Sequence, residues 1–211
     1  MNSREMFCRE LMATGRKGMA DLLEHLDRMG FFAQPASTQH HYCRAGGLVE
    51  HSINVYSRII DLAHTLLDGE EYRQMTDSLA IVALLHDIGK AGQYGKPGYI
   101  PNMLKGRPTK ANPNPEPVQS TAKPYIINPE LLDVDHEIRS IQIASKFIDL
   151  TEEESWAILM HNGLYGSFRY QIQGKETKLY MILHWADMWA SRVDEAKEGG
   201  AEDGNSSIDL G

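Results

Sequence analysis

The chain has 211 residues, a mass of 23.8 kDa and a formal net charge of −8. Its hydrophobic content of 42% and charged content of 24% are those of an ordinary globular protein, which excludes wholesale disorder. The acidic balance argues against broad, nonspecific binding to nucleic acid. Two cysteines are too few for a disulfide framework, and no apolar run approaches the roughly 20 residues that span a bilayer. The first residues, MNSREMFCRE, lack the apolar core of a signal peptide, so we expect one medium-sized cytoplasmic domain without a membrane partner.

Apolar residues recur at helical spacing through most of the chain. The first such stripe ends at Gly30, and the most apolar stretch, LAIVALL, predicts a buried central helix. Thr151 and Glu154 have the spacing of a capping box, which predicts the start of a helix. The predicted helices cover residues 19–29, 47–67, 72–87, 133–150, the segment after Thr151, and 178–196. We therefore expect an all-α bundle.

One long segment interrupts the helical pattern. Seven of the nine prolines lie between Pro97 and Pro124, a density that neither a helix nor a central strand tolerates. The same region is rich in lysine and arginine and holds a single acidic residue, Glu116. We predict a basic loop over residues 90–128 with a short strand at 125–127; the alternative is a solvated insertion without a role.

The remaining segments define the expected domain organisation. Residues 1–39 are predicted to add helices that pack on the bundle, and residues 40–193 form the bundle itself, with the basic loop as an insertion. A weak strand pattern at 168–173 predicts a small β-hairpin. Residues 194–211 mix glycine, serine and acidic residues with little to bury, which predicts a disordered tail.

Several histidines and aspartates lie where the pattern otherwise requires apolar residues. Each alone has a simpler explanation, because a single histidine on an apolar face is more often a hydrogen-bonded core residue than a ligand. Six such residues in separate predicted segments are harder to explain independently, and a divalent cation would satisfy them all. Histidine and carboxylate ligands suit Mn, Fe, Ni, Co or Zn. The six candidate ligands are His51, His86, Asp87, His136, His161 and Asp187.

The contexts of these residues resemble a known family. LLHDIGK at 84–90, preceded by GGLVEH at 46–51 and followed by LHWADM at 183–188, looks like the HD-domain superfamily of metal-dependent phosphohydrolases. The stretch HHYCRAGGLVEHSINV is also similar to the HD domain of bacterial three-prime-to-five-prime exoribonucleases and of small bacterial and phage HD hydrolases. The resemblance covers residues from about 40 to 193 and implies an HD-domain helical bundle.

The resemblance assigns a role to each candidate ligand. His51, His86, Asp87 and Asp187 correspond to the basic metal-binding quartet, with Asp87 as the bridge between two ions. His136 and His161 match the two histidines that complete the second ion in dinuclear members. The implied cofactor is two divalent transition-metal ions, with Mg²⁺ also allowed. This chain departs from many dinuclear relatives at Asn162, where those proteins have a second consecutive histidine, so the exact subtype is open.

Positive groups near the ligands favour a phosphorylated substrate. Two cations a few ångströms apart lower the pKa of a bridging water and hold both oxygens of an in-line displacement. Asp87 and Lys90 are the expected catalytic residues, and Lys90 would also hold the remaining phosphate oxygens, although it could simply complement the end of its helix. Further expected substrate contacts are His41, Arg44 and Arg169, of which the first two could equally be ordinary loop residues. His184, one helical turn before Asp187, is either a partner that orients that carboxylate or a core histidine.

The expected function is hydrolysis of a phosphoester in a nucleotide or at the end of a single-stranded nucleic acid, through a metal-activated water. The basic loop begins where the predicted HD helix ends, so it would lie at the mouth of such a site, and its tyrosines could stack on bases. The first alternative is a mixed-valent di-iron oxygenase of the same superfamily, which cleaves C–C or C–P bonds and also has six protein ligands. The second is a nonenzymatic module that binds nucleotide or RNA around a structural metal.

Overall fold

A computed structural model describes residues 1–110 and 112–196 of the chain and is mainly helical, as predicted. No helix in these ranges is long and apolar enough to cross a bilayer. Most of the predicted disordered tail, residues 197–211, lies outside the described residues. The α-helices in these ranges are α1 (Ser3–Ala13), α2 (Met19–Arg28), α3 (Gly47–Leu66), α4 (Gly69–Leu85), α5 (His136–Ala144), α6 (Glu152–Met160) and α7 (Lys178–Trp189).

Side-chain caps fix where several helices begin. The predicted capping box at the start of α6 is present: Thr151 accepts from the backbone N–H of Glu154, whose side chain accepts from the backbone N–H of Thr151. An equivalent box between Asp68 and Glu71 starts α4 at Gly69, three residues before the predicted position. Helix α5 is shorter than the predicted 133–150 segment.

Helix α4 lies at the centre of the core, which explains why it is apolar on every side. Leu79 and Val82 belong to a cluster formed with α3, α6 and α7. Ile81 and Leu84 belong to a second cluster, formed with α1, α2 and α3. The N-terminal helices therefore pack on the bundle through the far side of α4. Burial of each large aliphatic side chain in these clusters contributes roughly 1.5–3 kcal/mol.

The predicted basic loop contains six short strands. They are β1 (Gly92–Gln93), β2 (Lys96–Pro97), β3 (Tyr99–Pro101), β4 (Met103–Leu104), β5 (Val118–Gln119) and β6 (Tyr125–Ile127). All pairs are antiparallel: β1 with β2, β3 with β6, and β4 with β5. Strand β6 is the strand predicted at 125–127. We call residues 99–127 the basic arm.

Two predictions about local structure are wrong. Residues 168–173 contain no strand; Arg169–Gln171 form a single 3₁₀ turn instead. The folded domain also does not end at residue 193. Helix α7 continues into a π-helical turn, Ala190–Asp194, which is closed by a hydrogen bond from the Glu195 N–H to the Ala190 carbonyl (2.9 Å). The side chain of Glu195 is fully buried, so the boundary of the tail was placed too early.

Candidate metal centre

The structure brings the six candidate ligand residues to one place between five helices. Each helix delivers its ligand from a different position along its length: His51 lies in the first half of α3, His136 is the first residue of α5, and Asp187 lies near the end of α7. His86 and Asp87 follow α4 directly, and His161 follows α6. The bundle therefore holds these side chains around a common centre, and sets of three of them have ligand atoms within 4.8 Å of one another.

Asp87 is the centre of this cluster. Its Oδ1 lies 3.1 Å from the Nε2 of His136 and 3.5 Å from the Nε2 of His161. Its Oδ2 lies 3.4 Å from the Nε2 of His51 and 3.5 Å from the Nε2 of His86. Two ligands that each lie about 2.1 Å from one ion are about 3.0–3.4 Å apart in octahedral or tetrahedral geometry. The spacing around Asp87 therefore suits ligands that share metal ions.

Three buried polar atoms in the cluster have no hydrogen-bond partner among the described residues. They are the Nε2 of His51, the Nε2 of His86 and the Oδ1 of Asp87. Buried polar atoms are almost always paired, because an unpaired one loses its interaction with water without replacement. A divalent cation would accept all three lone pairs. The residues present therefore fit a metal ion.

The backbone sets the orientation of two of these imidazoles. The Nδ1 of His86 donates to the carbonyl of Ala83, and the Nδ1 of His161 donates to the carbonyl of Ile158, each at 2.8 Å. Because a carbonyl can only accept, each Nδ1 carries the proton and each Nε2 keeps its lone pair for a cation. Burial lowers the pKa of His86 to about 4, so this ring is neutral at pH 7.

The charge of the cluster also favours a cation. Burial alone would lower the pKa of His51, but the carboxylates of Asp187 and Glu195 outweigh it and raise this pKa to about 10. Burial raises the pKa of Asp87, and the charge of Lys90, with smaller contributions from the neighbouring groups, overcomes it and holds that pKa well below its usual value. The carboxylates therefore remain ionised at pH 7 and attract positive charge.

Lys90 pairs directly with the central carboxylate. Its Nζ donates to the Oδ2 of Asp87 at 2.6 Å. Burial lowers the pKa of Lys90, whereas the charge and hydrogen bond of Asp87, with contributions from Tyr99 and Asp187, together raise it above its usual value, so the ammonium group stays protonated. Lys90 also lines a cavity of about 550 Å³ beside the cluster, together with His41, Asn162, Asp187 and Arg192. This volume is within the usual range for small-ligand sites.

Asn162 holds a neighbouring pair of side chains. Its Nδ2 donates to the Oε1 of Glu137 at 2.5 Å and lies 3.4 Å from the Nε2 of His136. The other oxygen of Glu137 lies 3.3 Å from the Nδ1 of His136. The amide at this position therefore supports His136 through its neighbour, where the resemblance would have placed a further histidine ligand.

Two of the expected substrate residues line the cavity, Lys90 and His41. The Nε2 of His41 is buried without a hydrogen-bond partner in the described part of the chain. Burial lowers the pKa of His41 to about 4, so the ring is neutral at pH 7. A neutral imidazole with a free ring nitrogen in the cavity can donate to or accept from a bound molecule.

The other two expected substrate residues lie elsewhere. The guanidinium of Arg44 forms two hydrogen bonds with the carboxylate of Glu50, both at 2.6 Å, and lies over the ring of Tyr42. Arg169 is exposed and lies over the ring of Tyr170 at 4.8 Å. Neither is among the residues that line the cavity. Arg44 instead ties the loop before α3 to the first turn of that helix.

His184 acts on a different ligand from the one expected. Its Nδ1 donates to the backbone carbonyl of His161 at 2.7 Å, rather than to Asp187. The ring also fills the space beside Gly163, where an added Cβ would lie 2.3 Å from it. His184 therefore fixes the end of α6, and with it the position of His161.

Sequence reasoning missed two residues of the site. Glu195 contacts His51, and Arg192 lines the cavity. The acidic, glycine-rich composition around residue 195 predicted a disordered tail and hid the signal. A usable signal was present, because Asp187, Ser191 and Glu195 are spaced by four residues, which places them on one face of a helix that continues α7.

Comparison with known proteins adds no relative to this geometry. Neither a family model, nor a curated protein, nor a solved structure was found to match this chain. The HD-domain resemblance therefore rests on the three motifs and on the order of the six candidate ligands along the chain.

Proposed function

We propose that this chain is a metal-dependent phosphohydrolase with an HD-type helical bundle. Its substrate would be a phosphoester of a nucleotide or of a single-stranded nucleic acid end. The observation that carries the proposal is the convergence of three unpaired buried ligand atoms beside a cavity that also holds a lysine ammonium group. A metal cluster next to a cation-lined cavity is suited to an anionic substrate.

The ligand atoms divide into two sets that share Asp87. His51, His86 and Asp187 would hold one divalent ion with the Oδ2 of Asp87, and His136 and His161 would hold a second with the Oδ1 of Asp87. When bound, such ions supply Lewis acidity and lower the pKa of a water that attacks phosphorus. The protein's own contribution is a rigid, largely buried set of ligands that needs little rearrangement.

Lys90 would bind the substrate once its present partner is neutralised. Asp87 would be neutralised by a bound metal, and the ammonium group of Lys90, which now balances its charge at 2.6 Å, would be released from it. Lys90 can then donate to a nonbridging phosphate oxygen in the same cavity. Arg192 at the cavity wall adds a second cation, and neutral His41 adds a hydrogen bond to the phosphate or base.

The basic arm favours a single-stranded nucleic acid as the substrate over a mononucleotide alone. Lys105, Arg107, Lys110 and Lys123 are all exposed, and none has an ion-pair partner within residues 1–110 and 112–196. The base of the arm lies close to the cavity, because Tyr125 donates to the carbonyl of Thr38, the residue before the cavity-lining segment 39–41. A single-stranded nucleic acid whose end enters the cavity could therefore continue along the unpaired positive charges of the basic arm.

The test is metal-dependent hydrolysis by protein that has been stripped of metal and reloaded with one metal at a time. The probes are a p-nitrophenyl ester of thymidine monophosphate and an end-labelled single-stranded oligonucleotide. We expect turnover with at least one of Mn, Fe, Ni, Co, Zn or Mg, and a loss of at least about 100-fold in Asp87→Ala. The control His64→Ala removes an exposed histidine that stacks on Tyr72 and should keep full activity.

Three results would overturn this function. Retained turnover in Asp87→Ala would show that the cluster is not the reaction centre. Oxygen uptake by the iron-loaded protein without phosphoester hydrolysis would replace the proposal with the di-iron oxygenase, which also uses six protein ligands. Binding of the oligonucleotide with equal affinity by metal-free and metal-loaded protein, without cleavage under any metal, would indicate a nonenzymatic binding module.

A further inference from the structure

Glu195 is a fully buried carboxylate that contacts a candidate ligand. Its two oxygens lie 3.0 and 3.1 Å from the Nδ1 of His51, and its Oε1 also accepts from the Nδ2 of Asn54 at 3.1 Å. A glutamate side chain is rarely fully buried unless polar partners hold it, and here those partners are His51 and Asn54.

The turn that carries Glu195 is fastened to one face of α3. Arg58 donates from Nε and Nη2 to the two oxygens of Asp194, at 2.6 and 3.1 Å. Asn54 holds Glu195, and Glu195 holds His51. Positions 51, 54 and 58 have the i, i+3, i+7 spacing of one helical face. The turn that follows α7 is therefore fixed to the same face that presents the first candidate ligand.

A carboxylate on Nδ1 prepares an imidazole to bind a metal through Nε2. The hydrogen bond keeps the proton on Nδ1, fixes the rotation of the ring and makes Nε2 a better donor of its lone pair. The Nε2 of His51 faces the centre of the cluster, 3.4 Å from Asp87 and 3.2 Å from Asp187. Glu195 thus contacts the candidate ligands of the metal centre through His51.

We propose that the C-terminal turn, residues 190–196, is a working part of the metal centre, with Glu195 as the positioning residue for His51. Metal binding and docking of this turn would then stabilise each other, because a contact that improves metal affinity is itself strengthened by the metal. The inference rests on the metal site of the proposed function and adds a segment that neither the motifs nor the resemblance includes.

The first experiment compares metal affinity in two glutamate-to-glutamine variants, one inside the turn and one far from it. Glu195→Gln keeps the shape of the side chain and removes its charge, and it should weaken binding of Mn²⁺ or Zn²⁺ by about 10–100-fold in a chelator competition assay. Glu24→Gln makes the same change of charge and side chain at an exposed ion pair with Arg28 on α2, outside the turn and the cluster, and its affinity should change by less than about fivefold. Equal affinities in wild type and Glu195→Gln would overturn the inference.

A second measurement needs no variant and remains informative if Glu195→Gln does not fold. Amide hydrogen exchange is followed in the wild-type chain with and without Mn²⁺ or Zn²⁺. We expect the metal to slow exchange of the Glu195 amide, which donates to Ala190, while the amides of α2, which carries no candidate ligand, keep their rates. Bound metal without any slowing in the turn would overturn the inference.

The two proposals fail in different ways. Wild-type protein that takes up no metal would remove the proposed function and this inference together. Wild-type protein that binds metal tightly, with the same affinity in Glu195→Gln and with unchanged exchange in the turn, would remove only the role of the C-terminal turn. In that case the six-residue cluster would still stand as the metal centre.

Discussion

The substitution Gly89→Ala should separate packing from metal ligation, because Gly89 lies under the first turn of α5. A Cβ at this position would lie 2.1 Å from the carbonyl oxygen of His136 and 2.7 Å from the Cβ of Arg139. Comfortable contacts between such atoms need more than about 3 Å, so α5 would have to retreat by roughly 1 Å. His136 begins α5, and its Nε2 lies 3.1 Å from Asp87.

The expected cost follows from two contributions. Overpacking against a rigid backbone costs about 1–3 kcal/mol. The N–H of Gly89 also donates to the Oγ of Ser140 at 2.9 Å, and weakening this buried hydrogen bond costs about 1 kcal/mol more. We therefore expect Gly89→Ala to lower the free energy of unfolding by about 2–4 kcal/mol. His136 would move away from Asp87, while His51 and His86 would keep their places.

The assays are urea unfolding of the metal-free protein and metal content per chain by elemental analysis. Gly89→Ala should lose stability and, if the wild type binds the two ions proposed above, retain about one of them. Gly69→Ala is the matched control. This exposed glycine begins α4, and a Cβ added there would meet only the side chain of Arg73, at 3.8 Å. Its stability should not fall. A Gly89→Ala protein within about 0.5 kcal/mol of wild type, with a full metal complement, would refute the reasoning.

Three further predictions concern the rest of the molecule. Burial raises the pKa of Glu154, but Arg16, Ser78 and the Thr151 backbone together lower it, so the stabilising charge is present above the unfolded pKa of about 4.3 and is lost in acid. The difference in unfolding free energy between wild type and Glu154→Gln should therefore shrink as pH falls from about 6 to 3; a constant difference would contradict this. Phe7→Ala, in the fully buried contact of α1 with Phe31, should cost about 3–5 kcal/mol in urea unfolding, and a loss below about 1 kcal/mol would contradict that packing. Replacing two basic-arm lysines by glutamate should reduce the log–log salt slope of oligonucleotide binding by at least about 1.4 and leave hydrolysis of the p-nitrophenyl ester unchanged; an unchanged slope would exclude the arm from strand binding.

Helices were predictable because their signal is local. The apolar stripes that pack around α4 recur every three or four residues, and the capping box at Thr151 lies within four residues. Helix ends were harder to place where the first turn is polar. The Asp68 cap starts α4 over exposed residues that show no apolar pattern.

The strands were less predictable because their pairing is not local. Tyr99 pairs with Ile127 across most of the basic arm, and no short window of sequence contains both. The aromatic and β-branched pattern at 168–173 looked like a strand, but Arg169 and Tyr170 are exposed and stack on each other. A propensity for strand has no effect where no partner strand is present.

The candidate ligands could be predicted because they interrupt apolar faces, whereas their supporting residues could not. Arg44 has a carboxylate partner in Glu50, and this contact depends on how the loop folds back on α3. His184 donates to the backbone carbonyl of His161 rather than to the carboxylate of Asp187, which is nearer in sequence. Glu195 was hidden by the composition around it. A side chain pairs with a group that lies near it in three dimensions. Residue spacing predicts such distances only between positions on the same helix.

The ion pair between Lys90 and Asp87 has a consequence for the order of folding and metal binding. An internal ammonium group, 2.6 Å from the central carboxylate, occupies the role of a counter-ion while the chain folds. The imidazole of His51 lies between the other two acids, 3.2 Å from Asp187 and 3.0 Å from Glu195. We therefore expect the newly made chain to fold without a metal. The metal ion that the protein binds would then depend on the ions available to the folded protein, rather than on those present during synthesis.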